Sequence, residues 1–116
     1  MKRYCLALDL KNDPSLIKQY IAHHQEVWPE VKAGFVATGI LSVNLYNIEN
    51  RLCMLLETTD EFSFEAKATY DQNQPKIQAW EQLMEQFQKR LPNTPKDVKW
   101  RQMETIFSFQ SAHNTD

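Results

Sequence analysis

Glycine is nearly missing from this chain: only Gly34 and Gly39 occur in 116 residues. A phosphate-cradling loop needs several glycines close together, so nucleotide-binding loops of that kind are excluded. Cysteine is equally sparse, with Cys5 and Cys53 alone and no Cys-x-x-Cys spacing. That excludes a thiolate zinc site and a thioredoxin-like redox pair, and it leaves two small thiols that read as buried, reduced strand residues. There are three histidines, His23, His24 and His113, and no His-x-x-x-His pair or carboxylate cluster suggests a metal. Excess charge of one sign is absent too. Fifteen acidic residues against 13 basic ones give a net charge of -2, which offers no basic face for a nucleic acid. No apolar run approaches the ~20 residues of a membrane span. The first ten residues lack a small-residue cleavage site and carry Asp9, so they make a poor signal peptide, and the cytoplasm is the expected compartment.

What remains is an ordinary globular composition, 42% hydrophobic and 24% charged, long enough for one domain with one core. Residues 1–110 are expected to form that domain and residues 111–116 a polar tail that frays. Residues 3–10 alternate, with Tyr4, Leu6, Leu8 and Leu10 on one face, as a strand with one apolar side does. Asp13-Pro14 then reads as an N-cap followed by the first helical position. A helix should run from Pro14 to about Trp28, kink at Pro29, and resume until Gly39 ends it. Ile40–Tyr46 and Arg51–Thr58 read as strands joined by a hairpin turn at 47–50. Helices follow over Phe62–Asp71, with Asp60 as a possible cap, and over Pro75–Leu91. Trp100–Phe109 reads as the last strand. The order β-α-β-β-α-β predicts an α+β, ferredoxin-like sandwich: an antiparallel sheet with helices on one face. Its other face, with Tyr4 or Cys5, Ser42, Asn44, Tyr46 and Met54 among the candidates to line it, would be left open for a second copy of the chain, so a homodimer is expected.

One stripe stands out. Tyr20, His24 and Trp28 are spaced four residues apart, and Pro29-Glu30 follows. On a helix that spacing stacks a phenol, an imidazole and an indole on one face. Each residue alone is more often structural than functional. Together, with Trp80 on the later helix facing the same space, they outline an aromatic-walled pocket holding a proton donor and a second hydroxyl. With no metal or cofactor signalled, proton transfer is the most economical chemistry, and aromatic rings suit the C–H face of a sugar.

The string Tyr20-x-x-x-His24-x-x-x-Trp28-Pro29-Glu30, with Met1-Lys2-Arg3-Tyr4 at the head and Gln78-Ala79-Trp80 later, resembles the L-rhamnose mutarotase family over residues 3 to about 109. The resemblance implies a dimeric α/β barrel that interconverts the α and β anomers of a 6-deoxy-L-hexopyranose without metal or cofactor. It implies His24 as catalytic proton donor and Tyr20 and Trp80 as substrate-binding residues. L-Rhamnose is the first expectation for the sugar and L-fucose the second. Two family positions depart: a tyrosine of the second strand is Val43, and a second tryptophan is Glu81. Both are carried as weak substrate-binding candidates. Tyr46 cannot replace the missing tyrosine, because its odd separation from Val43 turns it to the other face. Asp9 and Glu57 are candidates for the general base. A small α/β-barrel monooxygenase or haem-binding relative, and a non-enzymatic ligand sensor, are the other readings that this fold permits.

Overall fold

The computed structural model describes residues 1–111, so the expected tail lies outside the described residues from 112 onward. Its first element, β1 (Lys2–Leu10), is the centre of the sheet. After it, Asp13 caps α1 (Pro14–His23), accepting hydrogen bonds from the Ser15 and Leu16 amides, with Pro14 where its missing N–H costs nothing. The helical layer continues with α2 (Pro29–Thr38), closed by Gly39. β2 (Ile40–Ile48) and β3 (Arg51–Thr58) form a hairpin closed by the two residues Glu49 and Asn50, shorter than the four-residue turn the sequence suggests. Next come α3 (Phe64–Gln72) and α4 (Pro75–Glu85), then two short strands, β4 (Gln88–Lys89) and β5 (Arg101–Gln102). All pairings are antiparallel in the order β2-β3-β1-β4, with β5 also on β1. This is the expected ferredoxin-like order, with each helical connection split into two helices.

Four boundaries differ from the sequence reading, each for a local reason. The first helix stops at His23 rather than near Trp28. Its last turn tightens into i→i−3 bonds, from His24 N to Ile21 O (3.1 Å) and Gln25 N to Ala22 O (3.1 Å). Trp28 then takes the extended backbone that a following proline enforces (φ -60°, ψ 140°) and leads into α2. α3 is capped by Ser63, whose hydroxyl accepts from the Ala66 amide, while Asp60 instead pairs with the N-terminal amine. The helix from Pro75 ends at Glu85, because residues 88–89 are taken up by the free edge of β1 at Asp9 and Leu10. The last strand is the largest difference. Only Arg101–Gln102 pair with β1, and after the bond from Met103 N to Cys5 O the segment finds no ladder among the described residues. Ile106, Phe107 and Phe109 are left at least three-quarters exposed.

The sheet's parity organises the rest. Leu6, Leu8 and Leu10 face the helices, packing with Leu52, Leu56, Val31, Trp80 and Met84. Tyr4, Met54 and Val43 pack on this same face, so neither Tyr4 nor Met54 lines the open one as the sequence suggests. Phe35 and Trp100 touch both halves of this core. The opposite face carries Cys5, Cys53, Ser42, Asn44, Tyr46 and Leu55. There the two thiols meet, Sγ to Sγ at 3.2 Å, a contact across strands that their separation in sequence conceals. No helix among the described residues is long and apolar enough to cross a membrane.

Gly39 is the one glycine at positive φ (90°), and a Cβ there would stand 2.8 Å from Thr59 Oγ1. Gly39→Ala should therefore lower unfolding free energy by at least about 1–2 kcal/mol, read from urea denaturation.

Candidate active site

Helix α1 ends by turning its polar aromatic residues inward. Tyr20, one turn before the end, is only 2% exposed, and its ring packs 4.5 Å from the His24 imidazole. His24 is the C-cap residue, still in near-helical conformation (φ -81°, ψ -2°), so the i,i+4 relation to Tyr20 survives the early end of the helix. Trp28 reaches the cluster by another route: the chain leaves the helix in a turn over residues 24–26, and the Trp28 indole lies edge-on to Trp80, 5.2 Å between centroids. Trp80, on α4, meets His24 edge-on as well, at 5.5 Å. The four rings expected to form one site are thus in one contact chain, though not on one continuous helix.

The imidazole's protonation follows from one contact. His24 Nδ1 lies 2.8 Å from the Tyr20 carbonyl oxygen. A carbonyl only accepts, so Nδ1 carries the proton and donates it. In the neutral ring Nε2 is then a lone pair, and among the described residues it has no hydrogen-bond partner. Burial pushes the His24 pKa below its ordinary 6.5, outweighing the opposing pull of the Tyr20 carbonyl; the nearby His23 adds to the depression. The neutral form therefore prevails at pH 7. The Tyr20 hydroxyl accepts a hydrogen bond from Gln88 Nε2 at 3.2 Å. Burial raises its pKa, with the Gln88 contact opposing, so Tyr20 is a phenol at neutral pH. Gln88 is the partner that sequence reading missed. The sequence places it within the helix expected over Pro75–Leu91, and its only signal there is a polar side chain one turn after the inward-facing Met84.

The weaker candidates fall elsewhere. Val43 is on the helix-facing side of the sheet, part of the apolar floor. Glu81 turns to a charged group at α3: Gln78 Nε2 donates to its carboxylate at 3.4 Å, and Asp71, Lys67 and Lys99 surround it. Burial, then the Asp71 charge, raise its pKa. The two candidate bases are both on the wrong face of the sheet. Asp9 is held by Arg51, Nε to Oδ1 at 2.7 Å. Glu57 is held by Arg3 at 3.0 Å and by the Ser42 hydroxyl at 3.0 Å. Alternation along β1 and β3 turns both away from His24. Two surface cavities, of about 500 and 310 Å³, are lined by other residues; the first lies under Ile17, Ile21 and Asn47, and the second beside Cys5 and Asn44. Among the described residues no group of three or more His, Cys, Asp or Glu side chains is arranged to hold a metal ion.

A family model described as L-rhamnose mutarotase matches residues 3–109. A protein from Xanthomonas campestris pv. campestris named L-fucose mutarotase is 42% identical over 114 residues, covering 97% of this chain and 91% of that protein. A UPF0734 protein of Dictyostelium discoideum is 30% identical, covering 93% and 90%. Among solved structures, the L-rhamnose mutarotase of Formosa agariphila superposes with a TM-score of 0.69 at 17% identity, over 95% of this chain and all of that one. The tetracenomycin F2 cyclase of Streptomyces glaucescens superposes at 0.65 and 15% identity, over 96% and 99%. These two likenesses establish the fold.

The His24 imidazole should titrate below 6.5 in two-dimensional ¹⁵N NMR, with the proton of the neutral form on Nδ1. A neutral ring with its proton on Nε2 would contradict the contact to Tyr20. Because the folded-state pKa is depressed, the stability linked to this group is present above 6.5 and is lost as pH falls through the folded value.

Proposed function

This chain belongs to the L-rhamnose mutarotase family, and from that premise we propose that it is an isomerase that exchanges the α and β anomers of a 6-deoxy-L-hexopyranose. The observation that carries the reading is the contact of Tyr20, His24 and Trp80, the three family positions retained here, with His24 Nε2 left as the reactive nitrogen. The family description gives L-rhamnose and the 42% identical relative gives L-fucose. Both sugars have a methyl at C5 and a C–H face suited to an indole wall.

Anomer exchange needs one proton moved from the anomeric hydroxyl, O1, to the ring oxygen, O5, while the C1–O5 bond breaks. Neutral His24 accepts the O1 proton at Nε2. The imidazolium so formed is the proton donor to O5, and the aldehyde is released. Rotation about C1–C2 presents the other carbonyl face, and closure runs the same transfers backward. The positive ring is stabilised by the Nδ1–H bond to the Tyr20 carbonyl, which is available before the sugar binds. Tyr20 donates its hydroxyl proton to a sugar oxygen, and Trp80 packs on the ring. No second protein base is required, which agrees with Asp9 and Glu57 being tied to arginines on the far face.

We also propose that the chain works as a homodimer. Among the described residues Ile106, Phe107 and Phe109 are exposed beyond the last strand pairing, and Leu41, Tyr46, Ile48 and Leu55 are exposed hydrophobic residues of the sheet. A second copy is the partner whose edge and face would cover them. Sedimentation equilibrium should give twice the 13.7 kDa chain mass; truncation after residue 102 should return it to one.

Saturation-transfer NMR should show faster anomer exchange on L-rhamnose and L-fucose and no acceleration on D-glucose. His24→Ala should lose about 10²–10⁴-fold of the exchange rate with an unchanged circular dichroism spectrum. Wild-type-like exchange in that variant would overturn the assignment. In the wild type kcat/KM should be level at neutral pH and fall in acid with a midpoint below 6.5, as His24 Nε2 takes up a proton before the sugar can supply one.

A further inference from the structure

Gln88 is 8% exposed, and its side chain is on the helix-facing side of the sheet because β4 pairs it with Leu10. Its amide is half used. Nε2 donates to the Tyr20 hydroxyl at 3.2 Å, while Oε1 is the one buried side-chain polar atom without a partner among the described residues. A buried, half-satisfied amide is costly. Methionine or leucine would fill that volume without an unpaired acceptor, so packing does not account for a glutamine here.

The orientation of the amide decides what Tyr20 can do. A phenolic hydroxyl has one proton to give and lone pairs to accept with. Gln88 Nε2 occupies a lone pair and leaves the proton for something else. Reversing the amide would instead take that proton on Oε1 and leave both N–H groups unpaired, where the present orientation leaves one N–H and the oxygen. In the orientation it adopts, with Nε2 toward the phenol, the amide holds the hydroxyl as a donor with its proton unspent. We propose that Gln88 is a positioning residue that keeps Tyr20 a hydrogen-bond donor to the sugar. It acts through Tyr20 and does not itself touch the reacting atoms. This inference rests on the mutarotase reading of the site.

Gln88→Glu reverses the polarity of the contact. At neutral pH a carboxylate at this position can only accept, so it takes the Tyr20 proton away from the sugar. In acid the neutral carboxyl can donate as the amide did. Anomer exchange should be measured on L-rhamnose and L-fucose, from about pH 5 to about pH 8, in the wild type, Gln88→Glu, Tyr20→Phe and the double variant, with circular dichroism on each. Gln88→Glu should exchange roughly 10–100-fold more slowly than wild type at neutral pH, and the deficit should shrink as pH falls. In the Tyr20→Phe background it should have no further effect. A pH-independent deficit, or an equal one in the Tyr20→Phe background, would overturn the inference in favour of a packing role, and so would wild-type-like exchange. A second measurement is independent of activity. In protein with ¹³Cζ-labelled tyrosine, Gln88→Met should raise the Tyr20 titration, because the donated hydrogen bond favours the phenolate. An unmoved titration would overturn the inference. If the wild type exchanges no sugar, the mutarotase reading fails, and the tyrosine titration still decides whether Gln88 governs the hydroxyl.

Discussion

The hydrogen bond between His24 Nδ1 and the Tyr20 carbonyl oxygen, 2.8 Å long, is the contact on which the site depends. The last carbonyls of any helix lack intrahelical partners. Here one of them is capped by the side chain of the residue that ends the helix, so a requirement of α1's stability and a requirement of the chemistry are met by the same atoms. The bond selects the tautomer, orients the ring, and leaves Nε2 as the nitrogen that the proposed chemistry uses. It also joins the two polar aromatics into one unit, because the carbonyl belongs to Tyr20, whose ring packs against the imidazole. A helix continuing through residue 28 would have turned that carbonyl to the His24 amide instead. The tightening of the last turn ahead of Pro29 is thus part of the site.

Around that unit the sheet sorts the chain's chemistry by parity. Leu6, Leu8 and Leu10 of β1 supply an apolar floor beneath the helices, and Arg3, Cys5 and Asp9 supply a thiol and ion pairs on the far side. The floor gives His24 a medium in which charge is costly, so its pKa is low and a proton taken from substrate is readily given up again. The far side keeps its carboxylates bound to arginines. In the proposed mechanism one imidazole serves both halves of a transfer whose two oxygens share a carbon, which is a geometric reason why a second base would be dispensable.

Much of this was legible in one sequence, and the limits have physical causes. Strand alternation and Asp13-Pro14 set β1 and the start of α1, and Gly39 set the end of α2. The stripe of Tyr20 and His24 survived because a C-cap residue keeps nearly helical angles. Local signals failed where tertiary pairing decides. Gln88 continues the helical pattern of Ile77, Trp80 and Met84, yet the unpaired edge of β1 recruits it as a strand. The alternation after Trp100 promised a long strand, but a strand needs a neighbour, and beyond Gln102 the described chain offers none. Asp9 and Glu57 looked eligible as bases because nothing local reveals an arginine on the adjoining strand. Val43 and Glu81 were flagged by comparison with a family pattern; the fold takes the first into the floor and the second into a charged group beside α3, so neither replaces the ring that the pattern has there.

That replacement bears on how such a site reads a sugar. An aromatic wall recognises the shared C–H face of 6-deoxyhexoses and distinguishes poorly among their hydroxyl configurations, whereas polar groups that must be paired discriminate strongly. Here Trp80 and Trp28 meet edge-on, and Val43 stands where the family pattern that the sequence resembles has a tyrosine. Less hydroxyl reading should mean a broader substrate range at the same chemistry. In the proposed reading the remaining discrimination falls on the Tyr20 hydroxyl and on whatever fixes the direction of its proton, which would offset the cost of a buried amide with one unsatisfied oxygen.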